Sequence, residues 1–469
     1  MFLRTEGDYN FSSGSRGRGN LSSTANPYFL FPQIYNFRYN IYSSEWPVAN
    51  RAIELYLQKK SENEGWERQI NGLSNNEKAN LLLEKHTFKE LLADVEQRNL
   101  QNNIVGLEAS RLFARSEINM GVDAFRDSLY AMLKRNTFLN IKFENMLDTL
   151  GEMSRTDLYS YLKEWEQLTP LPFYSIGEPE LTKVVNKGGE EFFVLKVLVS
   201  NNSDYDGIIQ MNVLQNGWWY QPMEDPRARK KVEIAAHTSK EFVSVWEEQI
   251  RDVEINTMVS GNLPYMIRQS IGNVKQERNK IVKDTIYTLP ESSLEMPGEV
   301  IVDNEDSTLF VLSTPAVVGL LPKWLDKVED TSFKYSGISW WRAPLQWTAT
   351  TNAKYYGKYI RSAYVIKSGD GSQTATWKIP VPEAGQYELY YHVFKDDELR
   401  WNDRLQGEYH FRVAYDSEME DAYINLRKAN EGWEQLGTYY FSADTVRVVL
   451  TDECKLRSVT ADAVKIVKR

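Results

Sequence analysis

The sequence predicts a multidomain α + β protein with a helical N-terminal region followed by two antiparallel β-sandwiches. Apolar residues recur at helical spacing between residues 48 and 168. From Pro172 onward they alternate with polar residues, and turn-forming segments separate the alternating stretches. The chain has 469 residues, which is enough for two to four domains.

The helical region is predicted from capping boxes and amphipathic stripes. Ser74 with Glu77, and Thr87 with Glu90, have the spacing of a capping box, in which each pair satisfies two free backbone N–H groups. Apolar residues lie on one face of each following stretch, and these stretches cover residues 104–118, 121–135, 143–151 and 155–166.

The clearest β-region is residues 362–393. Ala375, Trp377, Ile379 and Val381 alternate with polar residues, which predicts a strand with one buried face and places Trp377 in the core. In the next strand, Tyr387, Leu389, Tyr391 and Val393 alternate with Gln386, Glu388, Tyr390 and His392, which predicts that one of these faces is buried and the other is solvated.

The change in periodicity divides the chain into four predicted parts. Residues 1–47 form an N-terminal arm with an irregular aromatic segment, and residues 48–172 form a helical bundle. Residues 173–292 are predicted to be an Ig-like β-sandwich, and residues 293–469 a second β-sandwich.

Composition and charge exclude several classes of function. The net charge is −10, which disfavours general binding to nucleic acid or anionic membranes. A single cysteine, Cys454, excludes an internal disulfide framework. The N-terminal residues have no apolar segment of the signal-peptide kind, and two prolines interrupt the apolar window Leu309–Leu325, so we expect no membrane span in this chain.

The motifs of common catalytic sites are missing from the sequence. The four histidines, His86, His237, His392 and His410, have no HExxH spacing, which zinc peptidases use to hold the metal on one helix. There is no GxSxG elbow, P-loop or dinucleotide fingerprint. We therefore expect no catalytic residues and no catalytic cofactor.

Two groups of residues are candidates for binding. Asp303, Glu305 and Asp306 offer oxygen ligands of the kind that Ca²⁺ prefers, so the sequence suggests a structural Ca²⁺ here; acids in this pattern are also typical of an exposed turn. The rings of Trp340, Trp341 and Trp347 have apolar faces that suit the C–H faces of a sugar, although packing between a loop and a sheet explains such residues as well.

Residues 299–469 resemble the golvesin C-terminal-like domain, also described as the carbohydrate-binding-like domain of xanthan lyase. The resemblance rests on the opening VIVDNED at 300–306, on Tyr356-Gly357, on residues 368–393, and on the closing motifs around Trp433 and 461–464. It implies a galactose-binding-like jelly roll in which a sugar-binding role is suggested by the family name.

A second resemblance covers residues 100–290, which are similar to the C-terminal part of gluzincin aminopeptidase-like proteins of Bacteroidetes. Residues 121–165 carry it, and the β-region at 173–290 would match the small β-domain that follows. The zinc motif is absent, and the position of the family's catalytic tyrosine is Asn103. The resemblance thus implies a pseudo-peptidase. In such bacteria this region also occurs fused to transporter permeases.

Together these observations predict a non-catalytic binding protein of a bacterial envelope or periplasm. The expected partner is a glycan, bound through the C-terminal domain, or an envelope protein. Two alternatives stay open at this point. The chain is the C-terminal portion of a zinc aminopeptidase-like protein whose metal site lies outside it, or it is a structural spacer in an envelope assembly. The sequence does not determine the oligomeric state.

Overall fold

The computed structural model describes most of the chain from residue 39 onward, in two compact units. The first unit comprises Met1–Ser61, Ala79–Leu171 and Ile208–Glu233, and the second comprises Glu62–Lys78, Pro172–Gly207 and Ile234–Arg469. The described residues are 39–57, 64–185, 188–214, 225–272, 274–278, 282–292, 294, 298–313, 333–338, 343–395, 407–416 and 418–469.

The helices of the described residues precede most of the strands. They are α1 (Ala49–Leu57), α2 (Glu64–Asn71), α3 (Asn75–Leu83), α4 (Phe88–Ala93), α5 (Gln101–Met120), α6 (Val122–Arg135), α7 (Phe143–Ser154) and α8 (Leu158–Leu162). Both predicted capping boxes are confirmed. Ser74 and Glu77 exchange hydrogen bonds of 2.7 and 3.2 Å, and Thr87 and Glu90 exchange bonds of 2.8 and 3.2 Å.

The first unit is built around the apolar face of α5. Phe113 of α5 is fully buried and its ring lies 4.8 Å from Tyr56 of α1 and 5.5 Å from Phe125 of α6. A second aromatic cluster joins Trp46 to Trp165, whose ring centroids are 5.2 Å apart. Burial of these rings against one another contributes to the stability of the bundle.

The strands of the described residues follow in chain order. They are β1 (Tyr39–Tyr42), β2 (Leu139–Lys142), β3 (Tyr174–Ile176), β4 (Glu180–Val185), β5 (Glu191–Asn201), β6 (Gly207–Leu214), β7 (Arg229–Ile234), β8 (Thr238–Trp246), β9 (Asp252–Asn256), β10 (Met266–Ser270), β11 (Lys275–Arg278), β12 (Thr285–Pro290), β13 (Glu299–Val302), β14 (Phe310–Leu312), β15 (Thr348–Thr351), β16 (Ser362–Lys367), β17 (Thr374–Pro380), β18 (Gly385–Val393), β19 (Glu408–Tyr415), β20 (Glu418–Asn425), β21 (Gly432–Phe441), β22 (Thr445–Thr451), β23 (Ser458–Ala461) and β24 (Val464–Lys468).

The first β-region of the second unit centres on the long antiparallel pair β5 and β8. Their sheet has the order β11-β4-β5-β8-β12, with β3 also on β5. The register pairs Val197 with Phe242, and both side chains are buried. β9 and β10, which follow β8 in the sequence, form a further antiparallel pair. This region is antiparallel apart from β11, which pairs parallel with β4.

The C-terminal region is a β-sandwich of two antiparallel sheets that share one core. One sheet has the order β13-β24-β18-β21 and the other β14-β17-β22-β19-β20. Leu389 and Ile466 of the first sheet and Trp377 and Phe411 of the second are all fully buried in the same cluster. The predicted burial of Trp377 is confirmed, and its indole Nε1 donates to the main-chain oxygen of Asp462 at 3.2 Å.

Within the second unit, the first β-region contacts the sandwich through main-chain hydrogen bonds. The Leu263 N–H donates to the carbonyl of Tyr359 at 3.0 Å, and the Arg361 N–H donates to the carbonyl of Leu263 at 2.6 Å. Strands β15 and β16 of the short sheet β15-β16-β23 lie on either side of Tyr359 and Arg361 in the sequence. The two β-regions are therefore joined by backbone pairing as well as by the linker.

The predicted fold class is confirmed at the level of a multidomain α + β protein, with a helical N-terminal region followed by several antiparallel sheets. The pattern of alternating apolar residues did not predict the two-stranded parallel sheet, in which Tyr39–Tyr42 pairs with Leu139–Lys142. Each of its strands has only four residues, which is too short for a periodic signal. None of the helices in the described part of the chain has the length and apolar character needed to cross a membrane.

Candidate functional site

The outward side of the sheet β13-β24-β18-β21 carries a group of polar and aromatic side chains that strand register brings together. Tyr387, Leu389 and Tyr391 of β18 point inward and are buried, so Tyr390 and His392 point outward. Register then places Tyr390 opposite Gln435 and Lys465, and His392 opposite Trp433. A shift in register between Leu389 and Tyr390 sets this alignment.

Four rings form what we call the aromatic face: Tyr356, Tyr390, His392 and Trp433. The centroid of Trp433 lies 5.1 Å from His392 at an interplanar angle of 78°, and 5.0 Å from Tyr356. Edge-to-face contacts of this kind hold rings in fixed orientations. Tyr356, Tyr390 and Trp433 are each half-buried, so part of each ring remains open to solvent.

A lysine lies between two of these rings. The Nζ atom of Lys465 is 4.8 Å from the centroid of Trp433 and 5.4 Å from that of Tyr390, which is within range for a cation–π contact. The same ammonium group lies 2.7 Å from Glu299 Oε1. The side chains of Lys465 and Glu299 are 11% and 9% exposed, so the ion pair is shielded from solvent. It holds the Lys465 ammonium group in place between the two rings.

One carboxylate, that of Glu388, lies at the edge of the aromatic face. The Tyr390 hydroxyl donates to Glu388 Oε2 at 2.6 Å, and Arg469 Nε donates to Glu388 Oε1 at 3.1 Å. This hydrogen bond to Glu388, together with partial burial, raises the pKa of Tyr390 above its usual value. The phenol therefore stays protonated and keeps its donor on Glu388.

Asp462 supports the aromatic face from beneath. Its side chain is fully buried, accepts from the Tyr356 backbone N–H at 3.2 Å, and lies 2.9 Å from Nδ1 of His392. Burial raises the pKa of Asp462, although His392, the Tyr356 N–H and Arg361 all favour its charged form. One buried carboxylate thus positions two of the four rings.

The three acids suggested for Ca²⁺ binding have separate partners. Glu305 accepts from Tyr335 at 3.0 Å and from Lys334 at 2.5 Å, and also from the Ser362 hydroxyl. Asp306 accepts from the Thr308 hydroxyl at 2.9 Å, which closes a turn.

The third acid, Asp303, accepts from the backbone N–H of Asn304 at 2.7 Å. Burial, with added repulsion from Asp462 and Glu305, raises the pKa of Asp303 well above its usual value. Across the described ranges, no group of three or more Asp, Glu, His or Cys residues is placed to hold a metal ion. The Ca²⁺ site stays a prediction.

Of the three tryptophans suggested for ligand stacking, only Trp347 lies in the described part. It is half-buried and packs against the core of the C-terminal sandwich, and its buried Nε1 has no hydrogen-bond partner there. Trp340 and Trp341 lie outside the described residues. The stacking role of these three residues also stays a prediction.

The helical unit has its own buried charges. A small cleft is lined in part by His86, Glu108, Arg111 and Glu164, and Arg111 bonds Glu164 at 2.9 Å. Burial raises the pKa of Glu108. Asn103, at the position of the expected tyrosine, lies in the first turn of α5 and is half-buried. The likeness of this region to peptidases stays a prediction.

Sequence reasoning missed the aromatic face as a site, although signals for it were present. Alternation put Tyr390 and His392 on one common face of their strand, and Tyr356 and Trp433 lie in the motifs that carried the family resemblance. Lys465 and Glu299 gave no signal, because their 2.7 Å contact joins residues 166 positions apart.

Comparison with known proteins identifies the C-terminal region. Residues 341–468 match the family model described as the Golvesin C-terminal domain. This confirms the predicted resemblance over most of the sandwich, including all four rings of the aromatic face. No curated protein sequence matches the chain.

Among solved structures, the chain is distantly similar to a xanthan lyase from Paenibacillus, with 17% identity and a TM-score of 0.26 over 64% of this chain and 27% of the lyase. It is also similar to the CBM35 of Cellvibrio japonicus Abf62, with 12% identity and a TM-score of 0.19 over 27% of this chain and 83% of that module. A Bacteroides uniformis β-glucuronidase gives 11% identity and a TM-score of 0.19, over 67% of this chain and 32% of the enzyme.

Proposed function

Because residues 341–468 match the Golvesin C-terminal domain, we propose that this chain is a non-catalytic binding protein of a bacterial envelope that binds a glycan through the aromatic face. In this proposal the C-terminal sandwich is a galactose-binding-like jelly roll, and residues 173–292 form an Ig-like sandwich beside it. The aromatic face replaces the three tryptophans of the sequence-based hypothesis as the main contact.

The single observation that carries the proposal is the fixed arrangement of Tyr390 and Trp433 on either side of Lys465. Sugar rings present apolar C–H faces that stack on aromatic planes, and hydroxyl groups that bond to charged side chains. Tyr390 and Trp433 supply the planes, while Glu388 and Arg469 supply charged groups at the edge.

Preorganisation is the second reason to favour binding at this face. Register fixes Tyr390, and Asp462 fixes Tyr356 and His392, so a ligand meets side chains that are already ordered. Ligand binding to ordered side chains loses less conformational entropy, which raises affinity without any new contact.

Two features support the absence of catalysis. Asn103 stands where the peptidase resemblance expects a catalytic tyrosine, and an amide reaches less far than a phenol. The four histidines lie on separate elements of the fold: His86 in the loop after α3, His237 in the turn before β8, His392 on β18 and His410 on β19. An assay of aminoacyl substrates, with and without added Zn²⁺, is expected to show no cleavage; chelator-sensitive cleavage would refute this part of the proposal.

Glycan binding is tested by calorimetry with the full chain and a panel of bacterial polysaccharides and their oligosaccharides. We expect Trp433→Ala and Tyr390→Ala each to weaken binding about fivefold or more, since each loses one stacking plane worth ~1 kcal/mol or more. The folded state of each variant is checked by its melting curve.

Tyr440→Ala is the matched control, because Tyr440 is 61% exposed and lies on the same strand as Trp433. It lies seven positions from Trp433 along the strand, or about 23 Å, so its loss is expected to leave binding unchanged. Equal loss in all three variants, or none in any, would show that the aromatic face is not the glycan site. Binding of an envelope protein with no glycan affinity would favour the other predicted partner.

A further inference from the structure

The turn between α6 and β2 holds a phenylalanine in a conformation that phenylalanine rarely adopts. The Leu139 N–H donates to the Asn136 carbonyl at 3.0 Å, which makes residues 136–139 a β-turn. Phe138 is the third residue of this turn and has φ = +65°. A positive φ at that position normally selects glycine or asparagine, and for a bulky residue it costs free energy.

The strained residue is also exposed. Phe138 is 83% exposed and Leu139 is 54% exposed, so two large apolar side chains stand together at the tip of this turn. Leu139 and Ile141 share one face of β2, and Ile141 is buried while Leu139 is not. The apolar face of the strand therefore continues beyond the core of the unit, to the tip.

Cationic side chains flank this tip. Lys134 and Arg135 end α6 just before the turn, and Lys142 ends β2 just after it; all three are exposed. The chain as a whole has a net charge of −10, so the tip differs in sign from the average surface. An apolar tip between cations complements a bilayer, whose lipid headgroups attract the cations while its interface takes up the apolar side chains.

We infer that the turn formed by Phe138 and Leu139, which we call the apolar tip, inserts into the interface of an anionic lipid bilayer. A bilayer fits better than a protein partner because only two apolar side chains are exposed at the tip, and because cations stand on both sides of it in the chain. The strain at Phe138 is then retained because it projects the ring away from the unit. This inference is independent of the proposed glycan site, which lies in the other unit.

The inference is tested by co-sedimentation of the full chain with vesicles of phosphatidylcholine alone and of phosphatidylcholine mixed with phosphatidylglycerol. Binding is expected only to the mixed vesicles, and it should weaken as salt rises. Phe138→Gly removes the ring and suits the positive φ, so it should lower vesicle binding about tenfold. The double change Lys134→Glu and Arg135→Glu should lower binding at low salt.

Phe138→Gly also distinguishes insertion from internal packing. If the ring contacts only solvent in the free protein, glycine relieves strain and the melting temperature should rise. A fall larger than the added unfolded-state entropy of glycine accounts for, roughly 1 kcal/mol, would mean that another part of the chain covers Phe138, and it would overturn the inference. Val95→Ser is the matched control, because Val95 is 64% exposed in the same unit and lies far along the chain.

Three other outcomes would overturn the inference. The first is that the full chain fails to bind mixed vesicles at low salt. The second is that Phe138→Gly binds them as well as the unchanged chain does. The third is that Val95→Ser loses binding to the same extent as Phe138→Gly. If the Phe138→Gly variant loses vesicle binding and keeps glycan binding, the two sites are independent, as the inference requires.

Discussion

The Nδ1 atom of His392 lies 2.9 Å from a carboxylate oxygen of Asp462, although 70 residues separate the two in the chain. Asp462 is fully buried and His392 is 12% exposed. The contact joins the outward face of β18 to the loop between β23 and β24. It shows how a buried acid in the C-terminal sandwich is used to order side chains at the surface.

Asp303 is expected to weaken the fold at neutral pH. Burial first, and then repulsion from Asp462 and Glu305, raises the pKa of Asp303 well above its usual value. Between its unfolded and folded pKa values the folded protein binds more protons, so its stability falls as pH rises through that window. Asp303→Asn removes the charge and keeps an acceptor for the Asn304 N–H. It should stabilise the protein by ~1 kcal/mol near neutral pH.

The predicted pH dependence of the stability gain in Asp303→Asn can be measured directly. Urea unfolding should show no gain for Asp303→Asn below about pH 4, where both states are protonated, and a full gain above the folded pKa. Asp306→Asn is the control, because Asp306 bonds only within its own turn among the contacts described. A gain that persists at acid pH would mean that charge is not the cause.

Gly337 is expected to tolerate no side chain. A Cβ built on it would overlap the carbonyl of Ile70, which is main chain and cannot move aside. Gly337→Ala should therefore destabilise the second unit by about 3 kcal/mol or more. Gly272→Ala is the control, since nothing lies within 4 Å of its Cβ position, and it should change stability by less than about 0.5 kcal/mol. Equal effects in chemical unfolding would contradict this prediction.

Local patterns in the sequence predicted much of the fold. The capping boxes at Ser74 and Thr87 depend on residues three apart, and the burial of Trp377 depends on alternation within one strand. Such features are decided by neighbours along the chain, which is why they could be read directly.

Features that depend on distant pairing could not be predicted in this way. Asp462 bonds to the Tyr356 N–H across 106 positions, and no periodicity contains that information. The alignment of His392 with Trp433 also depends on a register shift within β18. The aromatic face is therefore a product of the assembled sheet, and the sequence showed only that Tyr390 and His392 share one face of β18.

Trp377 should be the most costly residue to truncate in the sandwich. It is fully buried, its ring lies 5.4 Å from Phe310, and its Nε1 bonds the Asp462 carbonyl. Trp377→Ala should cost roughly 3–5 kcal/mol. Trp433→Ala serves as a control of the same residue type, and should cost much less because Trp433 is half-exposed. A cost under about 1 kcal/mol for Trp377 would contradict its place in the core.

The C-terminal sandwich should fold when expressed alone, with lower stability than in the full chain. Its two sheets enclose one continuous apolar core, so a fragment of residues 298–469 is expected to unfold cooperatively. The fragment loses the hydrogen bonds of Leu263 with Tyr359 and Arg361. Each such bond contributes about 0.5–1.5 kcal/mol, so the fragment should melt at a lower temperature than the sandwich in the full chain. Calorimetry of both proteins measures this difference. A broad, non-cooperative transition in the fragment would show that the sandwich depends on the first β-region to fold, and an unchanged melting temperature would show that the Leu263 contact adds no stability.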